Sequence, residues 1–201
     1  MRSREVAKEC MKPNARTSSS SVAPPVMDAE AINRALRRVA HEIIERNPEL
    51  ASVILAGIPS RGVEIARRLA AIIESLGQSP IATGVIDVSM HRDDVGKRAD
   101  LPRVQASRLP LPLENKTVII VDDVFFTGRT ARAAMDAISS FGRPARIQLA
   151  ALIDRGHREL PIRVDYVGKN LPTSAGERVR LRLENVDGEP DAVWLVKEEE
   201  G

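Results

Sequence analysis

The chain has 201 residues, 43% of them apolar and 29% charged, enough for one globular core with a short excess. Its formal net charge of +2 is too small to mark a nucleic-acid binder by composition, so any basic surface must come from local clustering. A lone cysteine, Cys10, excludes an intramolecular disulfide and a cysteine-built zinc site. No apolar run reaches the roughly 18 residues of a membrane span or resembles a secretory signal, so a cytoplasmic protein is expected.

Residues 1–27 scatter charge around the serines at 18–21 and the pair Pro24–Pro25, a composition that buries too little apolar surface to offset ordering entropy. They are expected to form a disordered extension, with Met11 and Met27 as alternative starts, ahead of one folded domain over residues 28–201. From Asp28, a fitting N-cap, Ile32, Leu36, Val39, Ile43 and Ile44 recur at three- and four-residue steps and predict a helix that ends at Asn47–Pro48. Residues 52–56 read as a buried strand, 57–62 as a loop and 63–76 as a helix closed by Gly77.

Residues 81–90 are strand-like. Residues 91–112, rich in charge and carrying Pro102, Pro110 and Pro112, predict a long flexible loop of functional character. A β-branched strand over 117–121, an alanine-rich helix over 130–141 stopped by Gly142 and Pro144, and a buried strand over 147–153 follow. Shorter strand candidates lie at 164–167, 179–183 and 193–196. The alternation predicts an α/β fold whose mostly parallel central sheet is flanked by helices, with ligands at the carboxyl edge of the strands.

The densest chemical signal is residues 118–130. An apolar strand delivers Asp122 and Asp123, and then Val124, Phe125, Phe126, Thr127, Gly128, Arg129 and Thr130 turn into a helix. Glycine permits close backbone approach to a phosphate, the threonines add donors and the helix N-terminus adds partial positive charge. Carboxylates beside an anion site make sense as acceptors for the vicinal hydroxyls of a ribose. Taken alone, the acids would also suit a solvated strand end or a phospho-acceptor. A nucleotide-binding P-loop is excluded, because Arg129 stands where that motif needs lysine after glycine. A second strand-to-helix turn, with Ser60, Arg61 and Gly62, suits a diphosphate when paired with the first and is an ordinary turn otherwise. Arg92, with Asp93 and Asp94 in the long loop, is placed to close over a leaving diphosphate.

Residues 118–130 resemble the 5-phosphoribosyl diphosphate (PRPP) signature of type I phosphoribosyltransferases. The runs over residues 34–42, 154–163 and 165–174 extend the resemblance to the PyrR family across nearly all of 28–196. The resemblance implies the type I phosphoribosyltransferase fold with a small C-terminal β hood. It implies conversion of uracil and PRPP to UMP and diphosphate, Mg²⁺ held mainly by PRPP rather than by direct protein ligands, and Tyr166 and Val167 packed against uracil. The catalytic roles would fall to Arg92, Asp122 and Asp123. The chain departs from the family pattern at Ser60, His91, Phe125 and Phe126, where threonine, tyrosine, leucine and tyrosine are usual, which bears on catalytic efficiency, and at Arg37, where threonine is usual, which bears on RNA contacts.

Arg34, Arg37, Arg38 and His41 share one helical face opposite the apolar stripe, and Arg155, Arg158, Arg163 and Lys169 form a second basic cluster. By charge alone these read as solvated faces diluted by Glu30, Glu45, Glu159 and Asp165. The resemblance implies that Arg37, Arg38, His41, Arg158, Arg163 and Lys169 face pyrimidine-operon leader mRNA and that the protein is a homodimer or higher homo-oligomer. Two alternatives stay open: a regulator using the site only as a nucleotide sensor, and a phosphoribosyltransferase for another base.

Overall fold

The computed structural model describes residues 24–89, 106–174 and 176–197. Asp28 starts α1 (Ala29–Arg46): its carboxylate accepts the Ala31 N–H at 2.8 Å, satisfying a donor that a first helical turn leaves orphaned. The apolar spacing becomes one buried face of Ile32, Leu36, Val39 and Ile43. Asn47 ends the helix by donating both its backbone N–H and its side-chain amide to the Ile43 carbonyl. A 3₁₀ turn, Leu50–Ser52, leads into β1 (Val53–Gly57), which is buried throughout.

There follow α2 (Arg61–Ser75), β2 (Ala82–Val85), β3 (Thr117–Phe125), α3 (Arg129–Ser139), β4 (Arg146–Asp154) and β5 (Tyr166–Asn170). The five strands form one sheet of order β2-β1-β3-β4-β5 with every pair parallel. Alternating side chains divide the core. Leu55, Ile119, Val121 and Leu152 meet α1 and α2 on one face, while Ile54, Ala56, Val118 and Ile120 meet α3 on the other. Each fully buried leucine or isoleucine contributes about 1.5–3 kcal/mol, and the buried Ala131, Ala133, Ala134 and Ala137 let α3 lie close to the sheet.

Because β1 leads to a helix on one face and the adjacent β3 to a helix on the other, a crevice opens beyond their carboxyl ends. There β3 outruns its neighbour: Gly57 of β1 pairs with Val121, and Asp122 to Phe125 continue alongside β4 alone.

Two expectations need correction. The strand expected over 81–90 is limited to β2, whose Val85 exchanges backbone hydrogen bonds of 2.8 Å with Arg108 on the returning limb of the long loop. Residues 90–105 of that loop, Arg92 among them, lie outside the described residues, as do residues 1–23 of the expected N-terminal extension. Val26 and Met27, assigned to that extension, instead join the fold: Val193 donates to the Met27 carbonyl at 2.9 Å, and Met27 is buried. Their partner strand belongs to a separate antiparallel pair, β6 (Glu177–Arg182) and β7 (Ala192–Lys197), connected through the short helix α4 (Glu184–Asp187). Leu181, Leu183 and Val193 seat this pair on the α1–α2 core. Among the described residues no helix is long and apolar enough to cross a membrane.

Candidate active site

The crevice is built from the residues that end β1 and β3. Asp122 is buried and Asp123 half-buried, and both still belong to β3 rather than to the loop beyond it, since pairing with β4 persists to Phe125. Strand backbone fixes them: Asp122 Oδ1 accepts the Asp123 N–H at 2.9 Å, and Asp123 Oδ1 accepts the Val124 N–H at 2.8 Å. The turn then closes at Gly128, whose φ of +91° lies in the left-handed region that side chains disfavour. A cavity of about 350 Å³ lies against Asp122, Val124 and residues 127–130, so the first turn of α3 presents its N-terminal partial charge to it. Glu159 reaches the same cavity and accepts from Arg129 Nε at 2.8 Å and Nη2 at 2.7 Å, an ion pair about half exposed on both sides.

The turn after β1 carries a cis peptide bond between Pro59 and Ser60. Ser60 is exposed, and Gly62 in the first turn of α2 lies against the end of β3's buried run. Arg61 does not reach into open space. Its Nε and Nη2 donate to Asp187 at 3.0 and 2.7 Å, and its Nη1 is 3.8 Å from Asp123 Oδ2. The guanidinium pair holds the Asp187 carboxyl far below the ordinary carboxylate range. What this turn leaves for an anion is therefore the Ser60 hydroxyl and backbone N–H groups.

Tyr166 and Val167, expected beside uracil, lie on β5, where Val167 is level with Asp122 through Ala151 of the intervening β4. Tyr166 begins β5 at the level of Ala150 and hence of Val121, one residue before Asp122. Its ring is fully buried against the α1 core, and its hydroxyl accepts from the Asn47 amide at 3.0 Å and donates to Gln148 at 3.1 Å. Burial comes first in raising its phenol pKa, opposed by the Asn47 hydrogen bond. The Val167 carbonyl accepts from Arg38 Nη2 at 2.9 Å. Alternation along β5 sends the Tyr166 ring into the core, which no local motif shows. At the carboxyl edge instead stands Phe126, with the Arg155 guanidinium 4.1 Å from its ring centre and His157 edge-on at 5.8 Å.

The basic residues are partly united. Arg34 and Arg38 of α1 and Lys169 of β5 line one depression of about 390 Å³, and Arg37 and His41 are exposed on α1. Arg163 lines a cavity with Ile120, Ala131 and Met135, on the α3 face of the sheet. Arg158 is tied at 2.5 Å to Asp154 near Phe125. The two clusters are thus not one continuous surface on this chain. Among the described residues no group of three or more His, Cys, Asp or Glu could hold a metal ion. Asp122 and Asp123 nonetheless suit Mg²⁺, which takes one or two carboxylates when substrate phosphates and water fill the remaining positions. Sequence reasoning overlooked Asp187, whose only signal was an acid before Gly188 in a tail read merely as short strands, and gave Glu159 no part in the cradle.

Three comparisons bear on this arrangement. Residues 26–182 match the phosphoribosyl transferase domain family. The chain is 53% identical over 172 residues to the bifunctional protein PyrR of Roseiflexus sp., covering 86% of this chain and 94% of the relative, and 51% identical over 164 residues to that of Bacillus subtilis, covering 81% and 91%. A hypoxanthine phosphoribosyltransferase of Trypanosoma cruzi superimposes with a TM-score of 0.65 at 18% identity, over 88% of this chain and 98% of that one, a likeness of fold. With phosphate-suited turns on two adjacent strands and paired acids between them, this chain belongs to the PyrR family of the phosphoribosyltransferase superfamily.

Proposed function

We propose that the protein transfers the 5-phosphoribosyl group of PRPP to uracil, giving UMP and diphosphate, and regulates pyrimidine genes by UMP-dependent binding to leader mRNA. The observation that carries the enzymatic half is the placement of two phosphate-suited turns on adjacent strands with Asp122 and Asp123 between them. Residues 127–130 hold the 5-phosphate, residues 60–62 hold diphosphate through the Ser60 hydroxyl and backbone N–H groups, and the two acids accept the ribose hydroxyls. Uracil lies over Val124, the half-buried apolar residue of the cavity, rather than against Tyr166.

In the reaction the bond from the anomeric carbon to diphosphate breaks and a bond to uracil N1 forms as that nitrogen loses its proton. Positive charge gathers at the anomeric carbon, so the rate comes from positioning and from stabilising the leaving group. Asp122 and Asp123 would help to hold a Mg²⁺ bound mainly by PRPP, which would supply charge neutralisation on the diphosphate. Arg92 adds a cation to the same leaving group; its removal costs on the order of 2.7–4 kcal/mol of transition-state stabilisation.

The regulatory half is supported by the exposed α1 residues Arg37 and His41, and by Arg34, Arg38 and Lys169 around one depression. The setting is cytoplasmic, and homo-oligomerisation is the way α1 and the separate Arg158 and Arg163 could contribute to one RNA-facing surface. Among the described residues the folded unit begins with Val26 and Met27, ahead of the expected boundary at Asp28. A uracil phosphoribosyltransferase assay on wild type, Asp122→Asn and Asp123→Asn tests the enzyme: turnover by wild type and its collapse in both variants is expected, and no uracil turnover by wild type rejects it. Titration of leader RNA with and without UMP tests regulation, and equal weak binding in both conditions rejects it.

A further inference from the structure

Arg61 opens α2 directly after the diphosphate turn, yet its guanidinium is shared between two carboxylates. Both oxygens of Asp187 accept from it at 3.0 and 2.7 Å, whereas Asp123 Oδ2 stands back at 3.8 Å from Nη1. A two-point pair of this kind fixes the plane of a guanidinium as well as its position. Asp187 is itself pinned: Arg182 Nη1 donates to it at 3.0 Å, the Leu183 N–H donates at 2.8 Å, and its side chain is 7% exposed.

The same α2 face has other ties to residues 177–197. Arg68 pairs with Asp191, and Asn185 donates to Glu64 at 2.7 Å. Those ties brace the two layers at Glu64 and Arg68, about one and two turns along α2 from Arg61. The Arg61–Asp187 tie alone, among these, ends beside an acid assigned to the ribose hydroxyls. Were Asp187 uncharged, the nearest anion for Arg61 would be Asp123, and closing the 3.8 Å gap to a direct ion pair would occupy the acceptor that ribose needs.

We propose that Asp187 is a positioning residue for PRPP: by holding Arg61 it keeps the Asp123 carboxylate open to the ribose hydroxyls, so the β6–β7 unit forms part of the PRPP site and is more than a cover. The inference rests on the reading of Asp123 as a ribose ligand. It makes the charge of Asp187, rather than its bulk, the property that matters, and it predicts an effect on PRPP that spares uracil.

The test is steady-state kinetics with thermal unfolding on full-length wild type, Asp187→Asn, Asp187→Glu, Arg61→Lys and Asp191→Asn. Asp187→Asn should raise the KM for PRPP at least about tenfold, the scale of one charge-assisted contact, with the KM for uracil within about twofold of wild type. Asp187→Glu should recover most of that loss. Asp191→Asn, which removes the charge paired with Arg68 and keeps an oxygen for the Glu184 N–H, should lower Tm about as much as Asp187→Asn while leaving the PRPP KM within about twofold. Arg61→Lys, unable to keep the two-point pair, should reproduce the selective rise and carries the test by itself if Asp187→Asn does not fold. An unchanged PRPP KM in Asp187→Asn, or an equal rise in Asp191→Asn, overturns the proposal. Uracil turnover by wild type tests the underlying reading separately. If that turnover is absent, the same ratios are measured as Mg²⁺-PRPP dissociation constants by calorimetry, and a wild type that binds no PRPP overturns both.

Discussion

Gly62 and Val121 meet backbone to backbone: a Cβ at Gly62 would stand 2.4 Å from the Val121 carbonyl oxygen. The start of α2 therefore rests on β3 immediately before Asp122, and the two phosphate turns share one rigid junction. Gly62→Ala should force them apart, costing about 1–3 kcal/mol of stability as an overpacked site. Urea denaturation should show the loss, and calorimetry should show weaker PRPP binding at temperatures where the variant remains folded.

Tyr166→Phe should separate core from pocket. It removes a hydroxyl bonded to Asn47 and Gln148 and leaves the buried Asn47 amide short of an acceptor, a cost of about 1–3 kcal/mol. The KM for uracil should stay within about twofold of wild type. A large change in that KM at unaltered stability would return Tyr166 to the base site.

Stability should fall on the acid side in a way set by the ties between α2 and residues 177–197. Asp187 is lowered chiefly by the Arg61 hydrogen bonds. For Asp191 and Glu64 burial is the largest influence and opposes ionisation, but Arg68 and, for Glu64, Asn185 and Arg67 outweigh it, so both also lie below their ordinary values. Depressed folded-state pKa values mean that the unfolded chain binds more protons as the pH drops below the ordinary carboxylate range of about 4. The stabilisation is thus fully present above that range and is lost as pH falls through the lower folded values. Urea midpoints should be flat with respect to these groups from neutral pH to about 5 and decline below about 4. Asp191→Asn should show a shallower acid decline than wild type.

Arg37 and Arg38 are neighbours with different commitments. Arg38 donates to the Val167 and Gly168 carbonyls at 2.9 and 2.6 Å, satisfying edge-strand acceptors, while Arg37 is exposed on α1. Arg37→Ala should weaken leader-RNA binding and reduce its salt slope by roughly 0.7 for each single-strand phosphate that is no longer neutralised, with Tm unchanged. Arg38→Ala should lower Tm as well, by an amount matching about 1–3 kcal/mol for hydrogen bonds from a charged group. Filter binding across salt concentrations, beside thermal melts, distinguishes the two.

Local chemistry is legible in the sequence because it is written in contiguous residues. The strand with its two acids, the glycine that must turn with positive φ, the Asp28 cap and the alternation of strands with helices all follow from spacing and side-chain type. Relations between distant segments are not. Nothing near Asp187 shows that it meets Arg61, because that pairing depends on how the β6–β7 unit is seated on α1 and α2. The burial of Tyr166 escapes for a similar reason: its motif places it on β5, but only the alternation of that strand against α1 sends its ring into the core. Of the second basic cluster, Lys169 joins Arg34 and Arg38 around one depression while Arg163 lies on the α3 face of the sheet, a split no sequence spacing shows.

Met27 hangs on Val193, and β7 finishes at Lys197 shortly beyond, with the earlier strand residues running antiparallel to it. Among the described residues the first and last segments of the fold therefore meet at a single corner. A short glycine-serine bridge there would allow circular permutation, with new ends opened at the exposed Gly77–Gln78 turn, opposite the ligand crevice. Such a rewired molecule would keep both phosphate turns intact while freeing the hood from its place in the order of synthesis.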